Sequence, residues 1–247
     1  MSEAGDDEGG WRRSASAWIE SLGDPADSGD FGRRHVLDAP MLARATRRPR
    51  RRALDVGCGE GRFCRMLAAR GIETVGIDPT PALLDEARRR DPAGRYVPGR
   101  AEALDFPDAS FDLVVSYLTL IDIPDVPAAV AEMARILAPG GALLVANITP
   151  MATANASDGW VADANGVPRY PVDRYLEAFP YRAEWRGIDV INWHRPLSLY
   201  MEAFLGAGLH LVHFTEPRPS GGPADIVARY ERVPWFLIME WEAPAAA

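Results

Sequence analysis

The sequence predicts an α/β fold, a Rossmann-like, mostly parallel sheet with helices on both faces, an N-terminal helical lid and an inserted cap. Three observations predict it. From residue 52 to 149, short apolar runs alternate strictly with helical stretches, the pattern of strand–helix–strand units. The stretch LDVGCGEGRF, residues 54–63, is a glycine-rich turn set between such a strand and such a helix. Residues 150–195 then break the rhythm with a dense set of aromatics and no clean period.

The elements follow in order. MSEAGDDEGG reads as a disordered acidic tail over 1–10, lacking the basic and apolar regions of a signal peptide. Trp11, Ala15, Trp18, Ile19 and Leu22 recur at helical spacing and open a lid over 11–50. GDPADSGD is a loop. Asp30 caps a second helix carrying Phe31, Arg34 and His35, and Pro40 starts a third. The main domain, 51–247, begins with the strand RALDVG, then a helix over 60–70 stopped by Gly71. ETVGID is a strand, Pro81 to Arg90 a helix, GRYVPG a short strand and FDLVVSY a buried one. A helix over 126–138 ends at Pro139 and Gly140, and ALLVANIT is the next strand. After the cap, at about 150–195, come a helix over 196–208, the strand LHLVHFTEP, the short helix PADIVARYE and the strand VPWFLIMEWEA.

Composition limits the function. The chain has 247 residues, enough for one α/β domain with a real core. Its formal charge is −8, a poor match to nucleic acid, where phosphate neutralisation drives affinity. No apolar stretch approaches membrane-spanning length. Cys58 and Cys64 are the only cysteines, so a disulfide framework is not expected and a cytoplasmic setting is. The basic run TRRPRRR, 46–52, reads as a solvated linker rather than an anion-binding patch, since it stands alone in an acidic chain.

The glycines choose among nucleotide-like ligands. A dinucleotide turn has the spacing G-x-G-x-x-G, and Arg62 occupies the place of its third glycine. A phosphate-binding P-loop needs a lysine, and every basic residue here except the histidines is Arg.

With both alternatives weakened, the ordered motifs LDVGCGEGRF, VGIDPTPALLDEAR, GRAEALDFPDASFDLVVS and ARILAPGGALLVA are the telling feature. Together, over roughly 53–147, they resemble the class I S-adenosylmethionine-dependent methyltransferases, in particular the small-molecule "type 11" group. The resemblance implies seven strands in the order 3-2-1-4-5-7-6 with strand 7 antiparallel. It also implies S-adenosylmethionine as cofactor. Gly57, Gly59 and Gly61, with Cys58 and Arg62 between and after them, would form the cofactor turn. Asp55 would orient the methionine ammonium, and Asp78, followed by Pro79, would accept the ribose hydroxyls. Ala101 and Glu102 would meet adenine, although Arg100 stands where family members often have Asp. Ser116 and Leu118 would lie near the reactive methyl, and Arg34 would pair with the cofactor carboxylate.

The acceptor is argued by absence and by aromatics. SYLTL after the fourth strand is unlike the Asn-Pro-Pro-Tyr of base-amine enzymes, and no glutamate pair of the protein-arginine type follows it. ANITP lacks the Asp-Asn pair of metal-dependent catechol enzymes, so a metal-free enzyme acting on an O, N or C centre of a small metabolite is expected. His194 is the candidate base, His35 the second choice, and His210 and His213 read as structural. Trp18, Tyr117, Trp160, Trp193 and Tyr200 are candidate pocket walls. Two alternatives stay open: a non-catalytic binding protein with this fold, and an RNA or protein methyltransferase.

Overall fold

A computed structural model describes residues 9–23, 30–155 and 159–245. Most of the expected acidic tail, the interior of the GDPADSGD loop and three residues of the expected cap lie outside these. Among the described residues no helix is long and apolar enough to cross a membrane.

The expected strands form one seven-stranded sheet. They are β1 Arg52–Val56, β2 Glu73–Asp78, β3 Arg95–Pro98, β4 Phe111–Tyr117, β5 Leu137–Ile148, β10 His210–Thr215 and β11 Phe236–Glu242. The sheet runs β3-β2-β1-β4-β5-β11-β10, with β11 antiparallel to both neighbours and the rest parallel. Counted within the sheet, this is the expected order 3-2-1-4-5-7-6.

Both faces of the sheet are covered, which is why its strands read as continuous apolar runs. Successive residues point to opposite faces. In β1, Leu54 and Val56 join a core under α5 (Val126–Arg135) and α7 (Leu197–Gly206), with Met133 and Phe204. Ala53 joins the opposite core, under α2 (32–45) and α3 (Arg62–Ala68), with Met41, Phe63 and Leu67. The helix α4 (Pro81–Arg90) starts at its proline as expected, and α8 (Ala224–Tyr230) links the last two strands.

Three features differ from expectation. The second and third lid helices are one helix, α2, with π-turns over Gly32–Leu37 running into α-turns over Asp38–Ala45. The ring of Pro40 conflicts with a regular preceding α-turn, and the wider turns come just before it. Asp30 does cap this helix, accepting from the Arg33 N–H at 2.8 Å. The second difference is that β5 starts at Leu137, so Pro139 and Gly140 lie inside a strand that also pairs with the chain end.

The third is the basic run. It is neither a solvated linker nor an open anion patch. Arg44 and Arg47 grip Glu240 in the middle of β11 at 2.5 and 2.7 Å, and Arg47 and Arg48 reach Glu242. The Asp112 carboxylate accepts from the Arg51 and Arg52 N–H groups. The run is a strap ion-paired to the sheet.

The cap has more order than its sequence suggested. It holds the short helix α6 (Pro150–Thr153), the two-residue strands β6 (Val161–Ala162) and β7 (Pro168–Arg169), and a hairpin of β8 (Phe179–Trp185) and β9 (Ile188–His194). The lid helix α1 (Trp11–Ser21) packs on β9 and α4 through Ala15, Trp18, Leu83, Ile188 and Val190. Lid and cap therefore form one roof above the carboxyl ends of β1 and β4.

Candidate active site

Under that roof lies a cavity of about 360 Å³, at the switch point where the sheet order reverses between β1 and β4. Its floor is the glycine turn. Gly57 has φ +73°, and a Cβ there would overlap the Thr119 side chain, so the backbone approach needs glycine. Ten of the thirteen expected cofactor residues line the cavity: Asp55, Gly57, Cys58, Gly59, Arg62, Asp78, Pro79, Ala101, Glu102 and Leu118. Arg100 lines it as well.

Two buried carboxylates flank the turn. Asp55 is the next-to-last residue of β1, at 2% exposure. Its Oδ2 accepts from the Cys64 thiol at 3.4 Å, and its Oδ1 has no hydrogen-bond partner. Burial pushes its pKa up to about 7; the Cys64 bond opposes this, and Glu60 and Asp78 add to it. Asp78 ends β2 and braces the turn. Its Oδ2 accepts from the Gly59 N–H at 2.9 Å and its Oδ1 from the Thr80 N–H at 2.8 Å. Burial raises its pKa and these two bonds oppose the rise.

Three expected cofactor residues do not line the cavity. Gly61, with φ +73°, is a packing glycine, since a Cβ there would press into the Tyr96 ring. Ser116 is fully buried within β4. Arg34 is exposed on the outer face of α2, and its neighbour Arg33 turns inward. The Arg33 guanidinium sits 4.9 Å from the Trp18 ring centroid and 5.9 Å from that of Tyr117, and donates to Asp30 at 2.7 Å. The continuous helix sets a phase that two separate helices would not.

Of the expected substrate residues, Trp18, Tyr117 and Trp193 line the cavity. Tyr117 donates to Asp38 Oδ1 at 2.8 Å, and Arg62 clasps the same carboxylate with both nitrogens, tying α2 to the cavity wall. Trp160 does not line it; that ring packs edge-on to Tyr170 and under Arg232. Tyr200 is a core residue at 2% exposure, packed with Phe204 and Trp241 away from the cavity.

His194 is also corrected. Its ring is fully buried, outside the cavity. Nε2 lies 3.0 Å from the Tyr175 carbonyl and so carries the proton and donates; Nδ1 then accepts from the Thr153 hydroxyl at 2.7 Å. Burial lowers its pKa and holds it neutral. Both nitrogens are occupied structurally. His35 packs on Phe31 away from the cavity.

Sequence reasoning missed Trp11, Arg33, Phe63, Thr119, Asp122 and Ile191, which all line the cavity. One signal was available: Asp122 interrupts the apolar run LTLIDI just past the carboxyl end of a buried strand, where ligands of such sheets sit.

The site has the donors and acceptors for a nucleoside carrying an ammonium group. Asp55 offers an orphaned buried acceptor, the glycine turn offers close backbone approach, and Asp78 keeps acceptor capacity beyond its two backbone bonds.

Comparison with known proteins agrees with that geometry. Residues 54–145 match a family described as a methyltransferase domain. The chain is 36% identical over 120 residues to the malonyl-[acyl-carrier protein] O-methyltransferase of Serratia marcescens, covering 49% of this chain and 47% of that protein. It is 30% identical over 182 residues to the demethylmenaquinone methyltransferase of Beutenbergia cavernae, covering 65% and 74%. The matches to three malonyl-[acyl-carrier protein] relatives span 45% to 64% of their length. An S-adenosylmethionine-dependent methyltransferase from Mesorhizobium loti superposes with a TM-score of 0.70 at 29% identity, over 81% of this chain and 96% of that one.

Proposed function

The chain belongs to the S-adenosylmethionine-dependent methyltransferases, and from that membership we propose that it methylates an O, N or C centre of a small metabolite. The observation that carries this reading is the pairing of the orphaned Asp55 acceptor with an aromatic-walled cavity of small-molecule size. Its cofactor is S-adenosylmethionine, which when bound supplies a methyl group on a positively charged sulfur that departs as a neutral thioether.

The residues divide the work. Asp55 accepts from the cofactor ammonium. Asp78 accepts from the ribose hydroxyls through its remaining lone pairs while bracing the turn. Ala101 and Glu102 border the adenine end, where Arg100 stacks rather than accepts. Leu118 and Thr119 close the methionine end. Trp18, Tyr117 and Trp193 hold the acceptor against the methyl and keep water out. The relatives' names point to different acceptors, so the acceptor here is argued from this cavity.

Calorimetry of the full chain with S-adenosylmethionine tests the cofactor assignment of Asp78. The wild type should bind, and Asp78→Ala should weaken binding at least about tenfold, the equivalent of one charge-assisted hydrogen bond. Equal binding by the variant would remove Asp78 from the site.

A further inference from the structure

Asp122 is a cavity carboxylate with no part in the cofactor contacts assigned above. It stands in the loop after β4, on the roof side of the site, and β9 and the clamped loop itself fix it there. From β9, the Asn192 amide donates to its Oδ1 at 2.6 Å. From α1, Trp11 lines the same cavity. The loop itself is clamped by the buried Arg195, which donates to the carbonyls of Leu120 at 3.1 Å, Ile123 at 2.5 Å and Pro124 at 2.9 Å. The Trp193 N–H adds a bond to the Ile121 carbonyl at 2.7 Å. A polar side chain held this firmly at a cavity wall is placed to act on whatever enters.

We propose that Asp122 is the catalytic base of the reaction, taking the proton of a weakly acidic O–H or N–H acceptor, a phenol or a protonated amine. This rests on the methyltransferase reading. The acceptor's X–H bond breaks and its proton passes to the Asp122 carboxylate. The freed lone pair forms the X–CH3 bond, and the electron pair of the broken S–CH3 bond stays on sulfur.

The electrostatics suit that task. Asn192 is a neutral donor, so it orients the carboxylate without removing its basicity as a paired cation does. Burial pushes the Asp122 pKa up to about 7, and Asp78 across the cavity adds to the rise. The nearby Trp11 indole, Arg33 from α2 and Asn192 oppose it. Tyr181 of β8 and Tyr200 of α7 feel its charge in return. A base poised near neutrality combines availability with proton affinity. A carboxylate acceptor has no proton to give and would meet a like charge, so this wall selects against it.

The test uses the full chain with three readouts. Carbon-13 NMR of the aspartate carboxyls, with S-adenosylhomocysteine bound, follows Asp122, assigned by comparison with Asp122→Asn. Release of S-adenosylhomocysteine from S-adenosylmethionine is followed over pH 5–9 on a panel of phenols and arylalkylamines. Calorimetry follows S-adenosylhomocysteine binding. The carboxyl should titrate near about 7. Turnover of at least one acceptor should climb about tenfold per pH unit below that point and then level. Asp122→Asn should lose about 10²- to 10⁴-fold in kcat and the climb with it, and bind S-adenosylhomocysteine within about twofold of wild type. A midpoint below about 5 overturns the assignment, as does an Asp122→Asn chain that keeps the wild-type pH climb. A panel on which nothing turns over, with the carboxyl titrating as expected, overturns the phenol-or-amine class. Failure of the wild type to bind S-adenosylhomocysteine overturns the methyltransferase reading beneath it.

Discussion

Asn192, Trp193, His194 and Arg195 are consecutive, yet each does a different job. The first three end the strand β9, where successive side chains point to opposite faces, and Arg195 follows it. Ile191 and Trp193 line the cavity, so His194 is turned away toward Thr153 and Tyr175. The sequence singled out two of them: Trp193, which lines the cavity, and His194, which does not. Choosing among the four required knowing that the segment is a strand, and no periodicity in the cap revealed that. Asp55 and Asp78 drew attention in the sequence because each lies at the end of an apolar run near the glycine turn, a local pattern, and both line the cavity. The expected result for His194→Ala follows from its contacts. It leaves the buried Thr153 hydroxyl with only a 3.4 Å bond to the Pro150 carbonyl, removes the donor to the Tyr175 carbonyl and opens a cavity, and should cost about 2–4 kcal/mol, read as a lowered denaturation midpoint. Binding of S-adenosylmethionine should stay within about twofold of wild type. A variant of unchanged stability would refute the structural role assigned here.

At the scale of elements, the central strands β1, β4, β5 and β11 were legible because burial on both faces leaves a continuous apolar signature. The strap at 46–52 was not, because its partners lie nearly two hundred positions away in β11 and a charge run carries no record of what it faces. The apolar strand that supplies the counter-charges reads PWFLIMEWE, and Glu240 in it is the anomaly: a carboxylate at 1% exposure amid core residues. Arg44 and Arg47 bond it directly, and the Arg50 guanidinium, itself 5% exposed, approaches to 4.0 Å. Neutralising one member of such a group strands the others. Glu240→Gln should therefore lower stability by about 2–4 kcal/mol, seen as a fall of roughly 5–15 °C in Tm for a chain of this size. A solvated linker would instead give a change inside about 0.5 kcal/mol. The strap anchors the base of α2, whose Asp38 holds Arg62 and Tyr117 at the cavity, so the same variant tests whether lid position depends on the far side of the sheet.

For the whole molecule, the sheet order was foreseen from the resemblance of ordered motifs, whereas the junction of lid and cap was not. Trp18 meeting Val190, and Ser14 bonding the Asp189 backbone, are long-range pairings with no local period to announce them. That junction closes the cavity and buries its acids, and the burial has a global consequence. Asp55 and Asp122 both have folded pKa values of about 7 against an ordinary value of 3.8. Between roughly pH 4 and pH 7 the folded chain thus holds protons that the unfolded chain has released, and stability falls as pH rises through that window. Each group contributes up to about 4 kcal/mol to this fall. Glu86 works in the opposite direction. Its pairing with Arg89 and Arg90 lowers its pKa to about 2, so its stabilisation is lost as pH falls below about 4.5. The ligand-free chain should be most stable at about pH 4, with Tm declining from there to pH 7.5 in scanning calorimetry. Asp55→Asn should flatten part of that decline. An S-adenosylhomocysteine ammonium against Asp55 supplies the missing countercharge, so ligand stabilisation should grow with pH over the same interval, with proton release on binding visible in buffers of different ionisation enthalpy. A Tm that rises from pH 5 to pH 7 in the ligand-free chain would mean that the cavity carboxylates are already charged in the fold.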